Sequence, residues 1–215
     1  MYNLSKAYSQ KIFNKRGYLE WRAPFIVSGI VDILQPKSVI DFGCGSGDLL
    51  VEFINQGIDG YGLEGTKNAM KALQLVGLDL DGSNILSTTN RVVVHDLREL
   101  INVFQTPFTL KYDLVLCFAV AEHIEAKYIK TFVSNLTNAA NTVLFTAAPP
   151  GQKGHYHINC QVFDWWTNIF AQFDFKHDKV ATDAIKAKWI ATGKAKKTGI
   201  NLYYKNLMCF KREGI

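Results

Sequence analysis

Residues Val39 to Leu50, VIDFGCGSGDLL, run from an apolar segment ending in an acid, through three glycines at alternating positions, into a second apolar segment. A stretch written this way has to pass from strand to tight turn to helix without a linker. Gly43, Gly45 and Gly47 admit backbone conformations closed to other residues and let the main chain approach a ligand, while the start of the helix offers free N–H groups. The pattern predicts a corner that cradles a nucleoside ligand. The same turn also serves purely structural corners, so the decision falls to the residues downstream of Leu50.

Seventeen residues beyond Gly47, a second hydrophobic segment, Ile58 to Leu63, ends at Glu64. A βαβ unit places an acid there to grip two ribose hydroxyls. A third strand, Arg91 to Val94, delivers His95, Asp96 and Leu97 to the same edge, because parallel strands joined by helices all end on one side of the sheet. Asp96 is positioned to accept a hydrogen bond from an adenine amino group. The fourth strand, Tyr112 to Phe118, ends in AVAEHI, and the fifth, Thr142 to Ala147, runs into PPGQKGHYHINCQ.

From Val39 to Pro150 the chain resembles the class I S-adenosylmethionine (SAM)-dependent methyltransferases. DFGCGSG, Glu64, the pair Asp96 and Leu97, and YDLVLCFAVAEHI stand in that family's order and approximate spacing, and the last segment is similar to the small-molecule O- and C-methyltransferase branches. The glycines are spaced G-x-G-x-G, as in methyltransferases, whereas nicotinamide-binding domains use G-x-G-x-x-G. The resemblance implies a Rossmann-like, doubly wound α/β fold whose seven-stranded sheet is mostly parallel with one antiparallel strand near the C-terminus. It also implies SAM as cofactor, held by Asp41, Gly43, Cys44, Gly45, Gly47, Glu64, Gly65, Asp96, Leu97 and Phe118. Ala119 departs from the pattern, since relatives often carry an acid or another polar residue there.

With 215 residues, 48% hydrophobic and 20% charged, the chain suits one methyltransferase domain over residues 1–215, with an N-terminal cap at 1–22. No apolar run reaches the roughly twenty residues a bilayer crossing needs, and Met1 to Arg16 lacks a signal peptide's hydrophobic segment, so a cytoplasmic protein without membrane contact is expected. Cys44, Cys117, Cys160 and Cys209 form no C-x-x-C pair and read as reduced small hydrophobes. Helices are predicted over Ala23 to Leu34, Leu49 to Gln56, Thr66 to Val76, Glu125 to Asn138 and Val162 to Phe173. Lys176 to Ala181 reads as a strand, and Leu202 to Phe210 as its antiparallel neighbour.

The connection between those last two segments, residues 185–200, holds Lys186, Lys188, Lys194, Lys196 and Lys197 around Trp189 and contains no acid. It reads as a solvated loop, or as a lid that draws in an anionic substrate through Lys194, Lys196 and Lys197. Methyl transfer from a sulfonium needs mainly positioning, and a base only where a hydroxyl must lose its proton. The candidates are Glu122 and His123 after the fourth strand and His155 and His157 after the fifth. In an extended segment these last two share a face while Tyr156, a candidate substrate contact, points the other way. Two of them have a structural alternative: Glu122 as an N-terminal helix acid, His123 as a loop-orienting residue. His155, His157 and Cys160 lack the fourth ligand of a structural zinc site, so no metal is expected. The leading function is methyl transfer to a small-molecule acceptor, at oxygen. The alternatives are a nucleic-acid or protein methyltransferase, although this chain lacks after its fourth strand the N/D-P-P-Y/F sequence that marks DNA amino-methyltransferases, and a catalytically silent cofactor-binding subunit.

Overall fold

The computed structural model describes residues 22–75, 77–78, 90–101, 112–191 and 201–214. Helix α1 (Ala23–Leu34) precedes β1 (Ser38–Phe42), and α2 (Asp48–Asn55) leads to β2 (Asp59–Glu64). A 3-10 turn (Lys67–Ala69) and α3 (Met70–Leu75) come before β3 (Val92–Val94) and β4 (Leu114–Phe118). After 3-10 turns at Ala121–His123 and Ala126–Tyr128 come α4 (Ile129–Ala139), β5 (Thr142–Thr146), α5 (Phe163–Ala171) and β6 (Phe175–His177). The chain closes with α6 (Lys179–Ala191), α7 (Asn201–Asn206) and β7 (Met208–Arg212).

The strands form one seven-stranded sheet in the order β3-β2-β1-β4-β5-β7-β6. Neighbours from β3 to β5 are parallel, and β7 runs antiparallel to both β5 and β6. This is the Rossmann-like α/β arrangement expected. The order reverses between β1 and β4, and ligands bind outside the carboxyl ends of strands at such a switch point.

Both faces of the sheet are covered, which is why β4 reads as a continuous apolar run and not as alternation with polar residues. The period of two survives in where each side chain goes. Val115 and Cys117 pack with Phe132 and Leu136 of α4 and with Trp166 and Phe170 of α5. Leu114, Leu116 and Phe118 face the other side, among Ile26 and Ile30 of α1, Phe53 of α2 and Trp189 of α6. Trp189 is fully buried and donates its indole N–H to the Ile26 carbonyl at 3.0 Å. It fits because Gly29 has no side chain: a Cβ there would lie 2.7 Å from the indole. Truncating a core residue of this size costs about 3–5 kcal/mol.

Three sequence expectations are corrected. The expected strand over Leu202–Phe210 is instead helix α7 followed by β7, with Tyr203 and Tyr204 of the helix packing against the α1 side of the sheet. The strand expected over Lys176–Ala181 ends at His177. Asp178 then caps α6, its carboxylate accepting from the Ala181 amide at 2.9 Å and its carbonyl from the Thr182 amide at 3.0 Å. The basic loop expected over residues 185–200 is helical through Ala191, since Ile185 and Trp189 are core residues one turn apart. Lys194, Lys196 and Lys197 lie outside the described residues, as does the N-terminal cap before Arg22. No helix among the described residues is long and apolar enough to cross a membrane.

Candidate active site

At the end of β1 the chain enters the glycine turn, and all three glycines adopt the left-handed conformation: Gly43 at φ 78°, Gly45 at 59° and Gly47 at 81°. An L-residue pays about 1–2 kcal/mol at each such position. The turn is tied to β2, because the amides of Gly43 and Cys44 both donate to the Leu63 carbonyl, at 2.7 and 3.0 Å. Glu64, the next residue, is buried, and its carboxylate accepts from the amides of Gly45 at 2.9 Å and Thr66 at 3.1 Å. Glu64 therefore stands against the turn as its spacing predicted, with Gly65 half-buried beside it. Beneath lies Asp41, wholly buried, its carboxyl pushed up to about 8 by burial and by the charge of Glu64.

Other predicted ligands occupy less direct positions. Cys44 is a buried thiol whose sulfur packs on Gly62, where a Cβ would come within 2.9 Å of it. Asp96 closes the β3 edge, but its carboxylate is gripped by Arg98 through Nε at 2.9 Å and Nη2 at 2.6 Å. Burial raises the Asp96 pKa, yet those bonds hold it below the ordinary carboxylate value. Leu97 is a core residue. Phe118 ends β4, its ring 5.3 Å from that of Tyr203.

A cleft of about 320 Å3 opens over the turn, lined by Asp41, Gly43 through Ser46, Phe118, Ala119, Glu122, Gln152 and His157. Such a volume is at the scale of small-ligand pockets. Sequence reading missed several of its walls. Arg22 and Lys153 supply positive charge, and Asn206 bonds the Gln152 side chain at 3.0 Å. Arg22 is buried immediately before α1, and its only signal was a cation abutting an apolar helix. A second cleft of about 340 Å3, sharing Ala147 and Asn206 with the first, is lined by Phe163, Trp166, His177, Lys186 and Lys205.

Two loops build the remaining wall. After β4, Ala119 takes φ 54°, held by its amide donating to the Thr146 hydroxyl at 2.9 Å. Glu122 comes next, 1% exposed, and its main-chain carbonyl accepts from the amides of Ile158 at 2.9 Å and Asn159 at 3.0 Å. Those bonds draw the segment after β5 onto the segment after β4. The Glu122 carboxyl is pushed up to about 7, chiefly by burial. His157 directs Nδ1 at the Gln152 carbonyl (2.9 Å) and Nε2 toward Glu122 Oε1 (4.0 Å). His123 directs Nδ1 at the Tyr156 carbonyl (2.9 Å), and the two imidazoles meet edge to face at 5.2 Å. Gly154 makes room: a Cβ there would fall 2.0 Å from His157 Nε2.

The structure thus brings together Glu122, His123 and His157 and leaves His155 out. Tyr156 has φ 54°, so the segment is not extended and His155 and His157 do not share a face. His155 is exposed and packs edge to face on the Tyr156 ring at the protein surface.

The family described as a methyltransferase domain matches residues 18–174. Ribosomal protein L11 methyltransferase of Haemophilus influenzae (strain PittEE) is 31% identical over 98 residues, covering 44% of this chain and 28% of that protein. The corresponding protein of Pasteurella multocida (strain Pm70) is likewise 31% identical over 98 residues, or 44% of this chain and 29% of its own. The chain therefore spans less than a third of the length of these curated relatives. Among solved structures, magnesium protoporphyrin IX methyltransferase from Synechocystis PCC 6803 with bound SAM superposes with a TM-score of 0.55 at 21% identity, covering 76% of this chain and 72% of that one. The plantazolicin methyltransferase in complex with SAH gives 0.54 at 14% identity, covering 94% and 88%. These two likenesses are likenesses of fold.

Proposed function

The chain belongs to the methyltransferase-domain family, and we propose that it is a SAM-dependent enzyme that methylates a hydroxyl oxygen of a small, anionic acceptor, working as a single catalytic domain. The observation that carries this reading is the shared cleft: the glycine turn and the Glu122–His157 wall open onto one space.

The turn side suits a cationic nucleoside. Buried Asp41 and Glu64 repel one another, and a ligand bearing an ammonium and a sulfonium relieves that repulsion. Each Glu64 oxygen already accepts one amide, yet a carboxylate has about four lone-pair sites, which leaves capacity for ribose hydroxyls. Arg22, buried on the cleft wall, suits the ligand's carboxylate. Asp96 and Leu97 border the adenine end. Bound there, SAM supplies a methyl group activated by its positively charged sulfur.

The other wall prepares the acceptor. Its hydroxyl oxygen bonds to the methyl carbon as the carbon–sulfur bond breaks with its electron pair passing to sulfur, and the hydroxyl proton leaves on the Glu122, His123 and His157 side. Oxygen is favoured because an imidazole–carboxylate cluster is needed for a hydroxyl and superfluous for a free amine. Lys186 and Lys205 in the adjoining cleft suit an anionic portion of the acceptor, with Tyr156 at the rim and Lys194, Lys196 and Lys197 drawing it in. A protein acceptor is the second reading, favoured by the 31% identity to ribosomal protein L11 methyltransferase.

Calorimetric titration with SAM and its demethylated product tests the cofactor side. Both bind, and Glu64→Ala weakens each by about tenfold or more, since a lost charge-assisted pair is worth some 1.5–3 kcal/mol. Labelled methyl groups offered with a metabolite extract and, separately, with ribosomal proteins distinguish the two acceptor classes. Tight cofactor binding with no labelled product from either pool overturns the enzyme reading in favour of a silent subunit.

A further inference from the structure

We propose that Glu122, His123 and His157 form a binding site for a borderline divalent transition-metal cation of the zinc and cobalt class, on the acceptor wall of the cleft. The site rests on the methyltransferase reading, from which it takes the position of the acceptor.

Among the described residues these three each offer one ligand atom, and the three atoms lie within 4.8 Å of one another. A cation bound at about 2.1 Å from each donor brings tetrahedral neighbours to roughly 3.5 Å, so the side chains need to close by about 1 Å. They come from two loops already locked together by the Glu122 carbonyl, which accepts from Ile158 and Asn159.

The imidazoles are arranged as ligands are. A carbonyl only accepts, so His157 Nδ1 carries its hydrogen toward Gln152 and His123 Nδ1 carries its hydrogen toward Tyr156. In the neutral form of each ring, Nε2 is then the nitrogen that carries the lone pair. Metal-binding histidines are oriented in this way by backbone carbonyls. His157 Nε2 is directed at Glu122.

Glu122 supplies the independent observation. It is 1% exposed and lines the cleft, and its Oε2 makes no hydrogen bond. A buried carboxylate oxygen without a partner is costly unless a cation or donor arrives. Direct proton sharing with His157 does not account for it, because their 4.0 Å separation is too long for a hydrogen bond.

Two nitrogens and one oxygen favour zinc, cobalt or iron over magnesium, calcium and manganese, which prefer oxygen-rich sites. Three protein ligands leave coordination positions open, and a cation in the cleft lowers the pKa of a hydroxyl bound beside it. This is a different set from the His155, His157 and Cys160 trio that sequence spacing brought to notice.

The test is titration of the chelator-stripped full chain with Co2+, followed by its visible d–d absorption. One equivalent binds, millimolar Mg2+ does not displace it, and Glu122→Gln and His157→Ala each weaken binding by about tenfold or more. Nitrogen-15 imidazole spectra of the unaltered chain supply a readout that survives a misfolded variant: His123 and His157 shift on metal addition while His95, His155 and His177 do not. No saturable one-to-one binding, or shifts confined to the other histidines, overturns the site. SAM binding is measured on the same stripped sample. Methyl transfer undiminished without metal overturns the cation's part in the reaction and leaves the methyltransferase standing, whereas loss of SAM binding strikes the methyltransferase alone.

Discussion

The two walls of the cleft are made by opposite means. The turn side is local: three left-handed glycines at alternating positions, with Glu64 against the Gly45 amide. The acceptor side is assembled across the chain: His123 orients on a carbonyl 33 residues away, and Glu122 holds the backbone of the loop that carries His157. The conformation of the glycine turn shapes the first wall, so a single methyl group in the wrong place ruins it. The second depends on side chains that can be removed one at a time while the frame stays up.

Gly43→Ala should do the most damage. At φ 78° its new Cβ would lie 2.4 Å from Val120 Cγ2, adding an overlap of about 1–3 kcal/mol to a conformational cost of about 1–2 kcal/mol. Chemical denaturation should show the sum, and SAM affinity should fall with it. Gly57 is the control: its φ is 80°, but nothing lies within 4 Å of its Cβ position, so Gly57→Ala should show the conformational cost alone. Adding Val120→Ala to Gly43→Ala should recover part of the loss. Equal stability of the Gly43 and Gly57 variants would mean that the turn is not packed as described.

On the acceptor side, His157→Ala should lower turnover by about a hundredfold or more while leaving the SAM dissociation constant within about twofold. Gly154→Ala should imitate it from outside the cluster, because the added Cβ claims the place of the His157 ring. A His157 variant that lost SAM affinity in proportion to turnover would dissolve the distinction between the walls.

Asp41 links the turn wall to pH. Its folded-state pKa of about 8 lies above the ordinary carboxyl value of 3.8, so the folded ligand-free chain holds that proton more tightly than the unfolded one. The resulting stability is fully present below about pH 4 and is lost as pH rises through about 8. Asp41→Asn should remove this dependence and leave the ligand-free protein more stable near neutrality, yet with weaker SAM binding. A cation in the cleft favours the ionised carboxylate, so calorimetry in buffers of different ionisation enthalpy should detect proton release on SAM binding between about pH 6 and 8, where the ligand-free carboxyl still holds its proton. Proton uptake there would contradict the assignment.

This contrast explains what could be read in advance. Gly43, Gly45, Gly47 and Glu64 are legible because a turn conformation and a βαβ length have a fixed spacing, and the same regularity gives away β1 to β5. Glu122 and His123 could be named from their place after β4. The partnership of His157, and the exclusion of His155, depend on the left-handed Tyr156 and on carbonyls of Gln152 and Tyr156, none of which has a sequence signature. Arg22 was hidden for the same reason, since it reaches the cleft by packing and not by motif. The helix at Ile185 to Ala191 was misread because its lysines outweighed the one-turn pairing of Ile185 with Trp189.

That misread helix holds the smallest expected effect. Lys188 pairs with Asp32 at 2.8 Å, but both side chains are about half exposed, so solvent screens the attraction. Lys188→Ala should cost about 0.2–0.5 kcal/mol, shrinking with added salt, and should leave the acceptor's KM unchanged. Replacing Lys194, Lys196 and Lys197 together with glutamine should raise that KM at low salt without altering stability to the same degree. If Lys188→Ala moves KM as much as the triple change does, positive charge anywhere on this side attracts the acceptor and no particular segment does. If only the triple change moves it, the attraction begins beyond Ala191, and Lys188 serves only to fasten α6 onto α1.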